Sequence, residues 1–247
     1  MILRQFLHTE PAVAVSYLIG CAASHACVVV DPVSPPEHYL RAAAELGVGV
    51  GYVVDTHVHA DHLSTGPALA ALAGAPYFLH ESVGADFDFE TVADGARFAI
   101  GNVQLEVLHL PGHTPEHIGL LVSDRGRGSA PWLVVTGHTL MVGDMGRTEL
   151  ATSAEDGAHA LFHSAQRLKA LPDYLPILPG AFAGSVCGRA LSGNPISTIG
   201  FERRFNNTFA IDDEAAFVTA VLRDIPSAPP NAAATRAANL GHSLADA

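Results

Sequence analysis

Three histidines and an aspartate, His57, His59, Asp61 and His62, fall within six residues of one another, directly after the apolar run Val50 to Val54. Imidazole nitrogens and a carboxylate are the donors that hold divalent transition metals, and a short loop at a strand end can aim them together into one cavity. A histidine-rich polar loop without an ion is the alternative, and the flanking elements weigh against it. Downstream, His113 stands in Leu110-Pro111-Gly112-His113-Thr114-Pro115, where a Pro-Gly turn presets the backbone to project a ring beyond the sheet. His138 ends Leu133-Val134-Val135-Thr136-Gly137-His138, again at the close of an apolar run. The chain therefore reads as a metalloenzyme, with His57, His59 and His113 as candidate metal ligands, His138 as a further strand-end histidine, and Asp61 and His62 as candidate catalytic groups.

Ligands so far apart in sequence need a scaffold that gathers strand ends. Apolar runs mark strands at Ala12–Gly20, Cys27–Asp31, Val48–Val54, Tyr77–Leu79, Val103–Leu110, Ile118–Ser123, Trp132–Thr136 and Leu175–Leu178. Helical spacing covers Pro35–Leu46, a segment capped by Ser64 that runs through Ala73, Ala154–Leu171, Thr198–Phe205 and Asp213–Arg223. Gly74-Ala75-Pro76 stops the second helix, so the histidine motif lies on a strand-to-helix loop. Two groups of strands with helices around them predict a layered α/β sandwich. We expect one domain over residues 1–225 and a loosely ordered or surface-draped tail over 226–247, which is rich in Ala, Asn and Pro.

Composition narrows the partners. With 25 acidic against 13 basic residues and a formal charge of −12, the chain lacks the basic stripe that nucleic acid requires. A small-molecule partner fits better. Cys21, Cys27 and Cys187 form an odd set without regular spacing, and no signal-like core precedes Glu10 and Pro11, so a reduced, cytoplasmic protein is expected. No run of eighteen apolar residues suggests a membrane span.

His57-Val58-His59-Ala60-Asp61-His62, together with Pro111-Gly112-His113, resembles the metallo-β-lactamase superfamily. The resemblance implies an αββα sandwich. It narrows further through His113-Thr114-Pro115-Glu116-His117, Gly146-Arg147-Thr148, the loop Ala183 to Gly188, and Ser197 to Asn206, which look like the persulfide dioxygenase branch, in particular bacterial forms often fused to rhodanese domains. That branch implies one Fe(II) on two histidines and one aspartate, corresponding here to His57, His113 and position 138. This chain departs from the pattern by carrying His138 in place of the aspartate and Ala181 in place of the terminal histidine of the family. A two-zinc hydrolase needs both missing groups, so a mononuclear centre is expected.

The resemblance implies a non-haem iron oxygenase that takes a low-molecular-weight persulfide or related organosulfur substrate and O2. His138 would complete a three-histidine face, or act as a fourth ligand beside His57, His59 and His113, which would suit zinc. Ala181, with Ala183 where the branch has a pocket tyrosine, is expected to enlarge the pocket. Arg147 matches an arginine near the substrate entrance and either pairs with substrate or pins its loop. His117 is expected to pack behind a ligand, and Cys187 either accepts sulfur or is an inert buried thiol. The alternatives are a mononuclear zinc hydrolase of a thioester with Asp61 as base, and a non-catalytic binding member. A homodimer fits either.

Overall fold

Val15, Tyr17 and Ile19 alternate with Ser16 and Leu18, so the two sets face opposite sides of one strand, and all five are buried. Such a strand must be covered on both faces. The computed structural model, which describes residues 1–223, 225, 227–229 and 231–242, supplies both covers. Strands β1 (Ile2–His8), β2 (Ala14–Cys21), β3 (Ala26–Val30), β4 (Gly49–Val54), β5 (Tyr77–His80) and β6 (Glu90–Val92) form a six-stranded sheet in that order. The second sheet holds β7 (Arg97–Ile100), β8 (Val103–His109), β9 (Ile118–Asp124) and β10 (Pro131–Gly137). After a small hairpin of β11 (Leu140–Met141) and β12 (Asp144–Met145), β13 (Pro176–Pro179) and β14 (Ser197–Thr198) extend that sheet beyond β10.

Val15, Tyr17, Ile19, Val28 and Val54 from the first sheet meet Leu105, Val107, Leu120, Val135 and Leu178 from the second in one core. On the outer face of the first sheet, Leu18, Val29 and Val53 pack against Tyr39 and Ala42 of α1 (Pro36–Glu45) and Leu69 of α2 (Gly66–Ala73). On the far side, Val134 and Ile177 pack against Leu161 and Ala165 of α3 (Ala154–Lys169), with Ile199 of α4 (Ile199–Phe205) and Phe217 of α5 (Glu214–Leu222) joining the cluster. These layers make the expected αββα sandwich. Burial of this scale, at about 25 cal/mol per Å² of apolar surface, is what holds the strand ends in fixed relation.

Strands β3 to β6 run parallel, as do β10 and β13. Parallel pairing sends the chain out of the sheet at a common edge, where crevices beyond the carboxyl ends of strands collect ligands. β4 delivers His57 to His62, β8 delivers His113, and β10 delivers His138.

The structure adds elements the sequence reading lacked. β1 is an edge strand with exposed Leu3 and Leu7, paired to β2 alone. β6 and β7 are short, at three and four residues, too brief to show a period. The tail, expected to be loosely ordered or draped on the surface, lies on the surface but is partly helical. Ala232–Asn239 forms helix α6, because Ala is the best helix former and an Ala-rich stretch is low in complexity without being disordered. Residues 226, 230 and 243–247 of that tail lie outside the described residues.

Candidate metal centre

His57, His113 and His138 come together, with ligand atoms within 4.8 Å of one another, and all three are at most 2% exposed. His138 Nδ1 and His113 Nε2 are 3.2 Å apart. Two nitrogens each about 2.1 Å from a single ion lie roughly 3.0 to 3.4 Å apart, so the pair fits a common metal.

The surrounding hydrogen bonds set the tautomers. His113 Nδ1 lies 2.7 Å from the Arg147 carbonyl, which can only accept, so Nδ1 carries the proton and Nε2 the lone pair. Thr56 Oγ1 donates to Asp31 Oδ2 and therefore accepts from His57 Nδ1 at 2.9 Å. That leaves His57 Nε2 as a lone pair, buried and without any partner. Burial pushes His113 down to about 3 and holds His57, His117 and His138 below the ordinary histidine range. Neutral imidazoles with free lone pairs are the form that binds a transition metal, and holding the far ring nitrogen fixes each ring's aim.

His117 backs this trio. Its ring stacks on His57 at 4.9 Å, its Nε2 accepts the His138 backbone N–H at 3.0 Å, and its Nδ1 faces Thr139 Oγ1 at 3.1 Å. Two glycines make room. Gly137 has φ +50°, and a Cβ there would meet His117 Nε2 at 2.5 Å. A Cβ on Gly180 would meet the His138 ring at 2.7 Å.

His59 stands apart from the trio, although its ring is 4.2 Å from that of His57. It groups with Asp61 and His62 on one side and with Asp31 and Asp55 on the other. Burial works against charge on His59, but the Asp31, Asp55 and Asp61 carboxylates overcome it and raise it to about 9. His59 does not group with His57, His113 and His138 within the 4.8 Å that unites those three. Asp61 Oδ1 holds His62 Nδ1 at 2.9 Å, while Asp61 Oδ2 and His62 Nε2 are buried with no partner.

Arg147 is only 7% exposed, and its guanidinium binds Glu149 and, at 3.0 Å, the Val186 carbonyl. These contacts serve the loop-pinning role anticipated for it. Ala181 is buried, whereas Ala183 is exposed and donates its N–H to the Ser192 carbonyl at 2.9 Å. Asp61 lies on the wall of a cleft of about 410 Å³, also lined by Pro11, Val13, Ala60, Ser185 and Val186, while His57 and His59 line a separate, smaller cavity of about 160 Å³.

Sequence reasoning missed the clamp on the histidine loop. Asn239 Nδ2 donates to the carbonyls of His59 and His62, both at 2.8 Å, and its Oδ1 accepts from Ser64 N at 2.9 Å. Arg236 binds Glu116 and the Val58 carbonyl, and Glu116 also accepts from Val58 N at 3.0 Å. The spacing of Arg236 and Asn239, three apart on one helical face, was the only signal. A domain boundary at residue 225 would separate these partners.

Among described residues, no helix is long and apolar enough to cross a membrane, and Cys21, Cys27 and Cys187 are unpaired thiols. A mitochondrial persulfide dioxygenase, ETHE1 of Mus musculus, is 28% identical over 217 residues, 87% of this chain and 78% of that protein. A hydroxyacylglutathione hydrolase of Rhodospirillum rubrum is 32% identical over 161 residues, 63% of this chain and 57% of its own length. The crystal structure of a Staphylococcus aureus metallo-beta-lactamase superposes with TM-score 0.91 at 34% identity, covering 98% of this chain and 73% of that one. ETHE1 from Myxococcus xanthus superposes with TM-score 0.83 at 29% identity, over 98% of this chain and all of its own (100%). The Metallo-beta-lactamase superfamily profile matches residues 10–180, well over half the chain, and with the layers and strand-end histidines described above it makes this protein a member of that superfamily, similar to its persulfide dioxygenase-like branch.

Proposed function

We propose that the chain is a mononuclear non-haem iron oxygenase acting on a low-molecular-weight persulfide or a related organosulfur compound. The observation that carries this reading is the trio His57, His113 and His138, three buried neutral imidazoles converging on one point. Likeness to ETHE1 proteins along 87% and 98% of the chain supports the sulfur substrate. Iron bound there would supply open positions at which a sulfur group and O2 meet.

The protein's own groups prepare that meeting. The Arg147 carbonyl and Thr56 hydroxyl hold His113 and His57 in register. Three neutral ligands leave the full charge of the ion to attract an anionic sulfur, where an aspartate at 138 would cancel part of it. Asp61, on the wall of the cleft, offers Oδ2 as acceptor for the proton of an incoming S–H.

A second reading, a zinc hydrolase of a thioester with Asp61 as base, draws on the hydroxyacylglutathione hydrolase relative and on the His59, Asp61 and His62 cluster. His138 and Ala181 stand where a two-metal centre has ligands, which favours a single ion in either reading, and the longer stretch of likeness to ETHE1, 87% of the chain against 63% for the hydrolase, favours the oxygenase. Reconstitution of the metal-free chain with Fe(II) under anaerobic conditions, and separately with Zn(II), distinguishes the two. The oxygenase reading expects one iron per chain and O2 uptake that depends on glutathione persulfide. Cleavage of a glutathione thioester by the zinc form, with no O2 uptake by the iron form, would move the assignment to the hydrolase.

A further inference from the structure

The cleft at Asp61 carries fixed charge of one sign. The ionisable groups among its described lining residues are two carboxylates, Glu10 and Asp61. The rest of its polar lining is neutral, with Thr9, Ser185, Asn231 and Thr235. Asp61 joins this cleft to the candidate centre, because its carboxylate groups with His138 within 4.8 Å. The arginines nearby are engaged elsewhere. Arg236, next to Thr235 on α6, grips Glu116, and Arg147 binds Glu149 and the Val186 carbonyl. The smaller cavity on the His57 side has no lysine or arginine among its described lining residues either, and its His59 faces the Asp31, Asp55 and Asp61 carboxylates.

We propose that this cleft selects a persulfide whose carrier bears an amine and no carboxylate, a small aminothiol, over carriers of net negative charge. The inference rests on the oxygenase reading for the sulfur group and on the cleft alone for the carrier. A carboxylate that enters a cleft holding Glu10 and Asp61 loses water and meets like charge, whereas an ammonium loses water and gains opposite charge. Complementary charge steers the encounter and sets partner choice. The formal charge of −12 on the whole chain acts in the same direction at longer range. Glutathione, with two carboxylates against one ammonium, then enters as a weaker carrier whose persulfide is oxidised with a raised KM. Glu10 is exposed on the cleft, within reach of a carrier amine, and is the specificity-determining residue.

The test uses carriers of nearly equal size and different charge. The Fe(II)-loaded full chain is given O2 with the persulfides of cysteamine, 2-mercaptoethanol and 3-mercaptopropionate, whose carriers are cationic, neutral and anionic. The kcat/KM is expected to fall in that order, by about tenfold from first to last at low ionic strength, and the spread should shrink in high salt. Glu10→Lys should level or reverse the order. Anaerobic calorimetry with the unreactive methyl disulfides of the same carriers reads the preference without turnover, and the same order of affinity is expected. Equal affinities, the reverse order, or no detectable binding of any of them overturns the proposal. The expected binding order without O2 uptake from any persulfide, that of glutathione included, would sink the oxygenase reading and support the charge selection alone.

Discussion

Arg236 reaches Glu116 across 120 residues of chain and grips it with both terminal nitrogens, at 2.9 and 3.1 Å. Glu116 sits three residues after His113 and receives the N–H of Val58, the residue after His57. One ion pair thus ties the C-terminal helix to two of the three strand ends that carry the candidate ligands.

Because α6 fastens the histidine loop, Asn239→Ala should lower metal affinity about 10- to 100-fold, the usual cost of losing a group that orients ligands. The bonds it removes end on the His59 and His62 carbonyls and touch no candidate ligand atom of the trio. Arg236→Ala strands Glu116, which is 4% exposed, and should cost roughly 3–5 kcal/mol in urea unfolding. Unchanged metal affinity in Asn239→Ala would mean that the helix only covers the loop.

Stability of the metal-free protein should fall steeply in acid. Burial pushes His113 to about 3 and His8 to about 4, while an unfolded histidine titrates near 6.5. Between those values the unfolded chain binds protons that the native one refuses, so stability rises with pH across the window and is lost on acidification from about 6.5. His59, raised to about 9 by its three carboxylate neighbours against the opposing effect of burial, acts the other way and loses its contribution as pH climbs from about 6.5 to 9. A melting temperature that is highest near neutrality, dropping sharply below and gently above, is expected. A flat profile from pH 4.5 to 9 would contradict the buried neutral histidines.

Substitution of single ligands should separate the trio from its neighbours. His57→Ala, His113→Ala and His138→Ala are each expected to purify with little iron after reconstitution, since two imidazoles hold the ion poorly, and Asp61→Ala should keep most of it. Metal counting with a thermal melt on each variant reads this directly. Full iron content in His138→Ala would remove His138 from the centre.

The strands that carry these residues were legible because they are long and buried on both faces. Val28 to Val30 and Leu133 to Val135 read as uninterrupted apolar runs and lie at the middle of their sheets. His57, His113 and His138 were legible for the same reason, since each follows such a run. The exposed edge strand Ile2–His8 and the short β6 and β7 carry no comparable pattern. Nor does any local signal report that Asn239 lies against His62, 177 residues away, or that Cys187 closes on Asp61, because such contacts are made by packing of the whole sandwich. Arg147, for which family likeness left substrate pairing and loop pinning both open, binds Glu149 and the Val186 carbonyl, contacts that sequence alone does not report.

The central claim is that a three-histidine centre with His138 performs persulfide oxidation. Persulfide-dependent O2 consumption, measured side by side in the Fe(II)-loaded parent and in His138→Asp, tests it most directly. We expect robust uptake by the parent and, with two histidines and one carboxylate restored as in other non-haem iron oxygenases, uptake at least as fast by His138→Asp. No uptake by either protein, with one iron bound in each, would contradict the oxygenase account.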